Sequence, residues 1–118
     1  MDDCIFCKIA RHDIPTATIV YEDNYVMAFN DLNPDAPVHV LVIPKVHIEN
    51  FDEVNDENFV YLEKVMKAIK EVAKNTGINE KGYRIINNCK EDGGQVINHM
   101  HFHVMGGAKL PTKMKWED

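Results

Sequence analysis

Apolar and polar positions change period several times along this chain. In TIVYEDNYVMAFND two apolar runs flank Glu22-Asp23-Asn24, which predicts two strands joined by a tight turn. Leu32-Asn33-Pro34-Asp35-Ala36-Pro37 predicts a loop, because each proline lacks a backbone donor and restricts the residue before it. The β-branched run VHVLVIP then predicts a largely buried strand that opens near His39 and stops at Pro44. Over 56–75 the period becomes helical. Phe59, Leu62, Met66, Ile69 and Ala73 recur on one side, Val65 and Val72 widen that stripe, and Lys and Glu fill the other side. Asp56 is the expected acceptor for the first free amides, and Gly77 can take the left-handed geometry that ends a helix. YRIINN and HMHFHVMGG predict two more strands, separated by the turn-forming Cys89-Lys90-Glu91-Asp92-Gly93-Gly94. One long amphipathic helix covering a sheet makes the fold class α+β. Residues 108–118, with Pro111, several lysines and Trp116, carry no clean period and are expected to lie across a surface or a partner.

Composition narrows the setting. With 118 residues, 45% apolar and 27% charged, residues 1–118 suit one domain around one core. Thirteen Lys and Arg against nineteen Asp and Glu leave a charge of −6, which offers no broad field for a nucleic-acid backbone. No apolar run is long enough to span a bilayer, and MDDCIFCK lacks the layout of a secretory signal. A cytoplasmic protein with neither nucleic-acid nor membrane partners is the expectation. An odd count of three cysteines, two of them as Cys4-x-x-Cys7, suits a metal site or redox pair better than a disulfide framework.

Six histidines are many for this length, and three alternate in His99-Met100-His101-Phe102-His103. On an extended strand those three imidazoles would share one face while Met100, Phe102 and Val104 enter the opposite layer. Imidazole can serve as nucleophile, acid, base or metal ligand near neutral pH, depending on the partner each ring nitrogen finds. Cys4 and Cys7 supply a thiolate pair suited to zinc, which His47 and one of the strand histidines could complete; two reduced core thiols or a redox dithiol are the alternatives. Gly93-Gly94-Gln95 precedes the histidines, so exposed amides there could approach phosphate oxygens. The chain has no P-loop lysine motif, no HExxH and no dinucleotide fingerprint, which argues against kinase, ATPase, zincin and Rossmann chemistry.

The stretch His99-Met100-His101-Phe102-His103-Val104-Met105, followed by Gly106-Gly107, resembles the histidine triad superfamily, specifically its purine nucleoside phosphoramidate hydrolases. Cys4-Ile5-Phe6-Cys7-Lys8-Ile9, Phe29-Asn30-Asp31-Leu32-Asn33-Pro34, the segment from His39 through Pro44 to His47, and Gly93-Gly94-Gln95 resemble family segments in the same order. The resemblance spans nearly the whole chain. It implies a homodimer whose protomers each carry a mostly antiparallel sheet of about five strands, a long helix and a purine nucleotide pocket. It further implies that His101 attacks the α-phosphorus and expels an amine, after which water releases the nucleoside monophosphate. His103 and the backbone around Gln95, with Gly94 and Val96 beside it, would hold phosphate oxygens, and His39 would support the catalytic strand. Asp31 would accept from the ribose hydroxyls, Asn88 would bond the ligand near ribose and phosphate, and Leu32 would pack on the base. Cys4, Cys7, His47 and His99 would hold a structural Zn2+, leaving Cys89 as an isolated thiol.

Val96 stands where some members have serine, so no hydroxyl helps to protonate the leaving amine here. Lys113-Met114-Lys115-Trp116 departs from the tryptophan-proline ending of the same members, which bears on substrate selection. Hydrolysis of a dinucleoside polyphosphate and noncatalytic nucleotide binding by a regulatory protein are the competing functions.

Overall fold

A computed structural model describes residues 3–15 and 18–112. The tail segment Lys113-Met114-Lys115-Trp116 lies outside the described residues. Helix α1 (Ile5–Ala10) is followed by strands β1 (Ile19–Glu22), β2 (Val26–Asn30) and β3 (Val38–Pro44). A single 3-10 turn (Phe51–Glu53), helix α2 (Phe59–Thr76) and strands β4 (Tyr83–Asn87) and β5 (Phe102–Gly106) complete the order. The five strands form one antiparallel sheet in the order β1-β2-β3-β5-β4. The expected α+β architecture of five strands and one long helix is what the chain adopts.

The β1–β2 turn is built by Asp23, whose carboxylate accepts from the Tyr25 and Val26 amides at 2.7 and 2.9 Å and from the Tyr21 hydroxyl at 2.8 Å. Burial opposes ionisation of Asp23, but these donors outweigh it and hold its carboxyl below the usual aspartate value. In β3 every residue from His39 to Pro44 is buried, as the unbroken apolar run predicts for a central strand. Val26, Ala28, Val40, Val42, Phe102 and Val104 point towards α2, and together with its apolar face form the larger of two core clusters. Met27, Phe29, Leu41 and Ile43 point the other way, into a smaller cluster covered by Phe6, Ile9 and Ala10 of α1.

Helix α2 departs from its predicted outline at one end and along one edge. It begins at Phe59 instead of 56, because Asn55 and Asn58 bond each other's amides in a closed turn, and Asp56 sits within that turn. Its buried row is Leu62, Val65, Ala68, Ile69, Val72 and Ala73. That row is centred between the 62–69 and 65–72 lines, so Phe59 and Met66 fall at its border and remain 56% and 42% exposed. At the C-terminus Gly77 adopts φ +81° and its N–H reaches the Lys74 carbonyl, as expected of a left-handed cap. No helix among the described residues is long and apolar enough to cross a membrane.

The histidine segment is only partly strand. β5 starts at Phe102, so His103 lies in the ladder while His99 and His101 precede it. β4 ends at Asn87 opposite Phe102, and β3 ends at Pro44, which has no amide to offer. The alternation survives without the ladder, with Met100 in the α2-side core and His99 and His101 against Phe6 of α1.

Candidate functional site

The face opposite α2 carries two groups of polar residues. At its N-terminal corner, Cys4 is the N-cap of α1 and Cys7 lies in its first turn. Cys4 Sγ is 3.4 Å from His99 Nδ1, and Cys7 Sγ is 3.3 Å from His47 Nδ1 and 3.5 Å from His99 Nδ1. The four donor atoms lie within 4.8 Å of one another, so the corner can chelate a metal ion. His99 is wholly buried, and its Nε2–H donates to the Pro44 carbonyl at 2.9 Å, which leaves the Nδ1 lone pair facing the sulfurs. Burial lowers the His99 pKa to about 4, so its ring stays unprotonated at neutral pH, as a metal ligand would have to be. Burial, with Cys4 alongside, pushes the Cys7 thiol up.

Beside this corner opens a cavity of about 540 Å³. Ile5, Phe6 and Ile9 of α1 form one wall, Phe29 and Leu41 form the sheet side, and Asp31, Asn88, His101 and His103 supply the polar end. Leu32 and Val96 also line it and are 78% and 89% exposed, which places them at the mouth. Among the described residues, Asp31 is the only charged one in the lining.

Hydrogen bonds assign the proton on each ring. His101 Nδ1–H donates to the His99 carbonyl at 2.7 Å, so its Nε2 carries a lone pair. His39 accepts the Asp35 amide at Nδ1, 3.0 Å away, which leaves its proton on Nε2. That Nε2–H donates to His103 Nδ1 at 2.9 Å, so His103 keeps its own proton on Nε2. Two adjacent rings, 5.3 Å between centroids, thus differ in kind: His101 offers a lone pair and His103 a donor. Burial lowers the pKa of both, His101 against the pull of the His99 carbonyl and His103 with help from the neighbouring imidazoles. Asp31, His39 and His103 also bring donor atoms within 4.8 Å, but the Asp35 amide seated on His39 Nδ1 keeps a proton on the nitrogen that a metal would need.

Of the residues read from the sequence, Asp31, Leu32, Asn88, Gly94, Val96, His101 and His103 line the cavity, with His39 buried behind His103. Cys4, Cys7, His47 and His99 form the separate corner. Gln95 is absent from the lining. Its Oε1 accepts from the Lys90 amide at 2.8 Å and its Nε2 donates to the Glu49 and Ile97 carbonyls at 2.7 and 2.9 Å, so its side chain latches the loop that presents Gly94. That loop admits no side chain at Gly93, where a Cβ would sit 2.4 Å from the Cys89 carbonyl oxygen. Cys89 is half-buried and outside the donor cluster. The pocket roles of Ile5, Phe6, Ile9, Phe29 and Leu41 were not drawn from the sequence. Alternation along β2 and β3 does place Phe29 and Leu41 on the histidine face, but nothing local places α1 above it.

The HIT domain family pattern matches residues 13–110. A protein from Escherichia coli K12 called purine nucleoside phosphoramidase is 40% identical over 109 residues, 92% of this chain and 91% of its own length. Protein HitA of Neisseria gonorrhoeae is 44% identical over 106 residues, 90% of this chain and 97% of its own. Among solved structures, a histidine triad protein from Clostridium difficile superposes with a TM-score of 0.91 at 46% identity, covering 97% of this chain and 98% of that one. A HIT family hydrolase from Clostridium thermocellum gives 0.92 at 47% identity, with 98% and 99% covered. The chain belongs to the HIT, or histidine triad, family, and its histidine cluster is that of a hydrolase-type enzyme.

Proposed function

We propose that this enzyme hydrolyses the P–N bond of purine nucleoside phosphoramidates. The observation that carries the reading is the pairing of opposite tautomers in one cavity, a lone pair on His101 Nε2 beside an N–H on His103 Nε2. His101 Nε2 attacks the α-phosphorus, and the P–N bond breaks with its electron pair leaving on the amine. The amine takes a proton from water, since Val96 has none to give. Water then attacks the nucleotidyl-histidine, returning His101 and releasing nucleoside monophosphate. The His103 N–H and the amides near Gly94 hold the non-bridging oxygens as charge redistributes on phosphorus. Asp31 retains oxygen lone pairs for ribose hydroxyls: among the described residues its Oδ1 accepts one hydrogen bond, from the Asn33 amide at 2.8 Å, and its Oδ2 stands 3.5 Å from His39 Nε2. The apolar wall from Ile5 to Ile9 suits a purine face.

Among the described residues the lining has no lysine or arginine, which favours a substrate with one phosphate charge over a dinucleoside polyphosphate with several. The name of the Escherichia coli relative supports the same substrate class. Zinc is the metal we assign to the corner of Cys4, Cys7, His47 and His99. Tetrahedral bonds of about 2.3 Å to sulfur and 2.1 Å to nitrogen separate ligand atoms by about 3.4–3.8 Å, close to the 3.3–3.5 Å contacts present. With four protein ligands it would serve structure, tying α1 to the histidine segment. We further propose a homodimer, supported by the position of β4 at the sheet edge among the described residues and by exposed Ile85, Met66 and Phe59. Three free thiols suit a reducing cytoplasmic setting.

The test is rapid trapping of the protein with adenosine 5′-phosphoramidate and mass spectrometry of the acid-labile adduct. An adenylyl group on His101 with release of amine is expected. Nucleotide binding with neither would point instead to a regulatory nucleotide-binding protein.

A further inference from the structure

The last rung of the β4–β5 ladder pairs Asn87 with Phe102. His101 stands one residue before β5, beyond that last pair. The Asn87 side chain reaches it, with Nδ2–H donating to the His101 carbonyl oxygen at 2.9 Å. His101 is therefore held at two places, by its ring on the His99 carbonyl at 2.7 Å and by its peptide group on Asn87. The two bonds act differently. The ring bond closes within residues 99–101, and that unit is tied down on the β3 side by the His99 ring on the Pro44 carbonyl and by the Met100 amide on the Ile48 carbonyl at 2.7 Å. The Asn87 bond runs from the unit to β4 and holds its other side, at the peptide group of His101 itself.

We infer that Asn87 is a positioning residue for His101, fixing where the attacking nitrogen stands relative to a bound phosphorus. This inference rests on His101 as the nucleophile. Asn87 does not line the cavity, whereas its neighbour Asn88 does, so the Asn-Asn pair divides into one residue that aims the nucleophile and one that faces the ligand. A displacement of about 1 Å at an attacking atom can cost on the order of a hundredfold in rate. Among side chains of this size, asparagine brings the N–H that a carbonyl requires. Aspartate has the same shape but only acceptors when ionised, and leucine has neither.

The test compares Asn87→Asp and Asn87→Leu with the unaltered chain on adenosine 5′-phosphoramidate, with AMP affinity by calorimetry and melting by circular dichroism. We expect kcat to fall about tenfold or more in both variants while AMP affinity stays within about twofold. A folded variant with unaltered kcat overturns the inference, as does a parallel loss of kcat and AMP affinity, which would mark a purely structural role. Should the leucine variant fail to fold, the isosteric aspartate variant still decides. A crystal structure of Asn87→Asp reads the geometry without turnover: a His101 ring displaced from its place supports the inference, and a ring unmoved overturns it. His101→Ala separates the two levels. If that variant turns over normally, the nucleophile assignment falls and the positioning role with it; if it is inactive while Asn87→Asp is fully active, only the positioning role falls.

Discussion

The two faces of the sheet are covered by helices of unequal length. On one face the eighteen residues of α2 lay a row of Leu, Val, Ile and Ala over Val26, Ala28, Val40, Val42, Phe102 and Val104, with Tyr21, Tyr25, Tyr61 and Tyr83 at the margin. On the other face the six residues of α1 reach only part of the way. They cover Met27, Phe29, Leu41 and Ile43 and leave a cavity beside them. His39, His99 and His101 are buried on this side, each with a hydrogen-bond partner, as buried polar groups require. A short cover leaves room for a ligand beside buried imidazoles, and a long one on the opposite side closes the sheet with apolar packing. The thin side is therefore where substitutions should separate activity from stability, and the thick side is where they should not.

The largest separation is expected from His101→Ala. Turnover should fall by about a thousandfold or more, equivalent to about 4 kcal/mol of transition-state stabilisation, with melting nearly unchanged. Steady-state kinetics with parallel calorimetry checks it, and a large loss of stability would blur the contrast between the faces. Next comes Ile69→Ala under α2, which deletes a side chain only 2% exposed. Denaturant unfolding should show a loss of about 2–5 kcal/mol, while kcat of the folded fraction stays the same. A smaller effect is expected from Cys7→Ser, read by elemental analysis and thermal melting. The variant should lose stoichiometric metal and with it about 2.7 kcal/mol of stabilisation, the amount for a ligand at a hundred times its dissociation constant. Because α1 also walls the cavity, AMP affinity should weaken too. Unaltered AMP affinity in the metal-free variant would show that the corner and the cavity are independent.

The smallest effect belongs to the hairpin at the sheet's β1 edge. Asp23→Ala should cost about 1 kcal/mol at pH 7 through lost turn hydrogen bonds. Asp23 has its folded pKa held below the unfolded value, so its charge-linked stabilisation is complete above the unfolded pKa near about 4 and is lost as pH falls through the folded pKa. The gap between variant and unaltered chain should accordingly narrow in acid, which urea titrations at several pH values would detect. A gap independent of pH would mean that the carboxylate charge contributes nothing.

Much of this was legible locally. Alternation marked which of Met100, Phe102 and Val104 enter the core, the 3.6-residue period marked α2, and Asp23 and Gly77 marked a turn and a helix end, because each depends on neighbours within about one turn of chain. The misjudged border of α2 has the opposite origin. Phe59 and Met66 are as apolar as their neighbours, and their exposure follows from how the helix is rotated over β1, β2 and β3.

The histidine site divides along the same line. Residue types and spacing marked His99, His101, His103, Cys4 and Cys7 as candidates for chemistry, and the family resemblance divided them between a pocket and a metal corner. Their distinct roles come from groups far away in the chain: the Pro44 carbonyl turns His99 towards the sulfurs, His39 leaves His103 a donor, and Asn87 anchors the backbone of His101. A ring nitrogen is lone pair or donor according to what faces its partner nitrogen. What faces it depends on strand register and on where Pro44 and Asn87 end their ladders, which are properties of the folded chain and of no local segment.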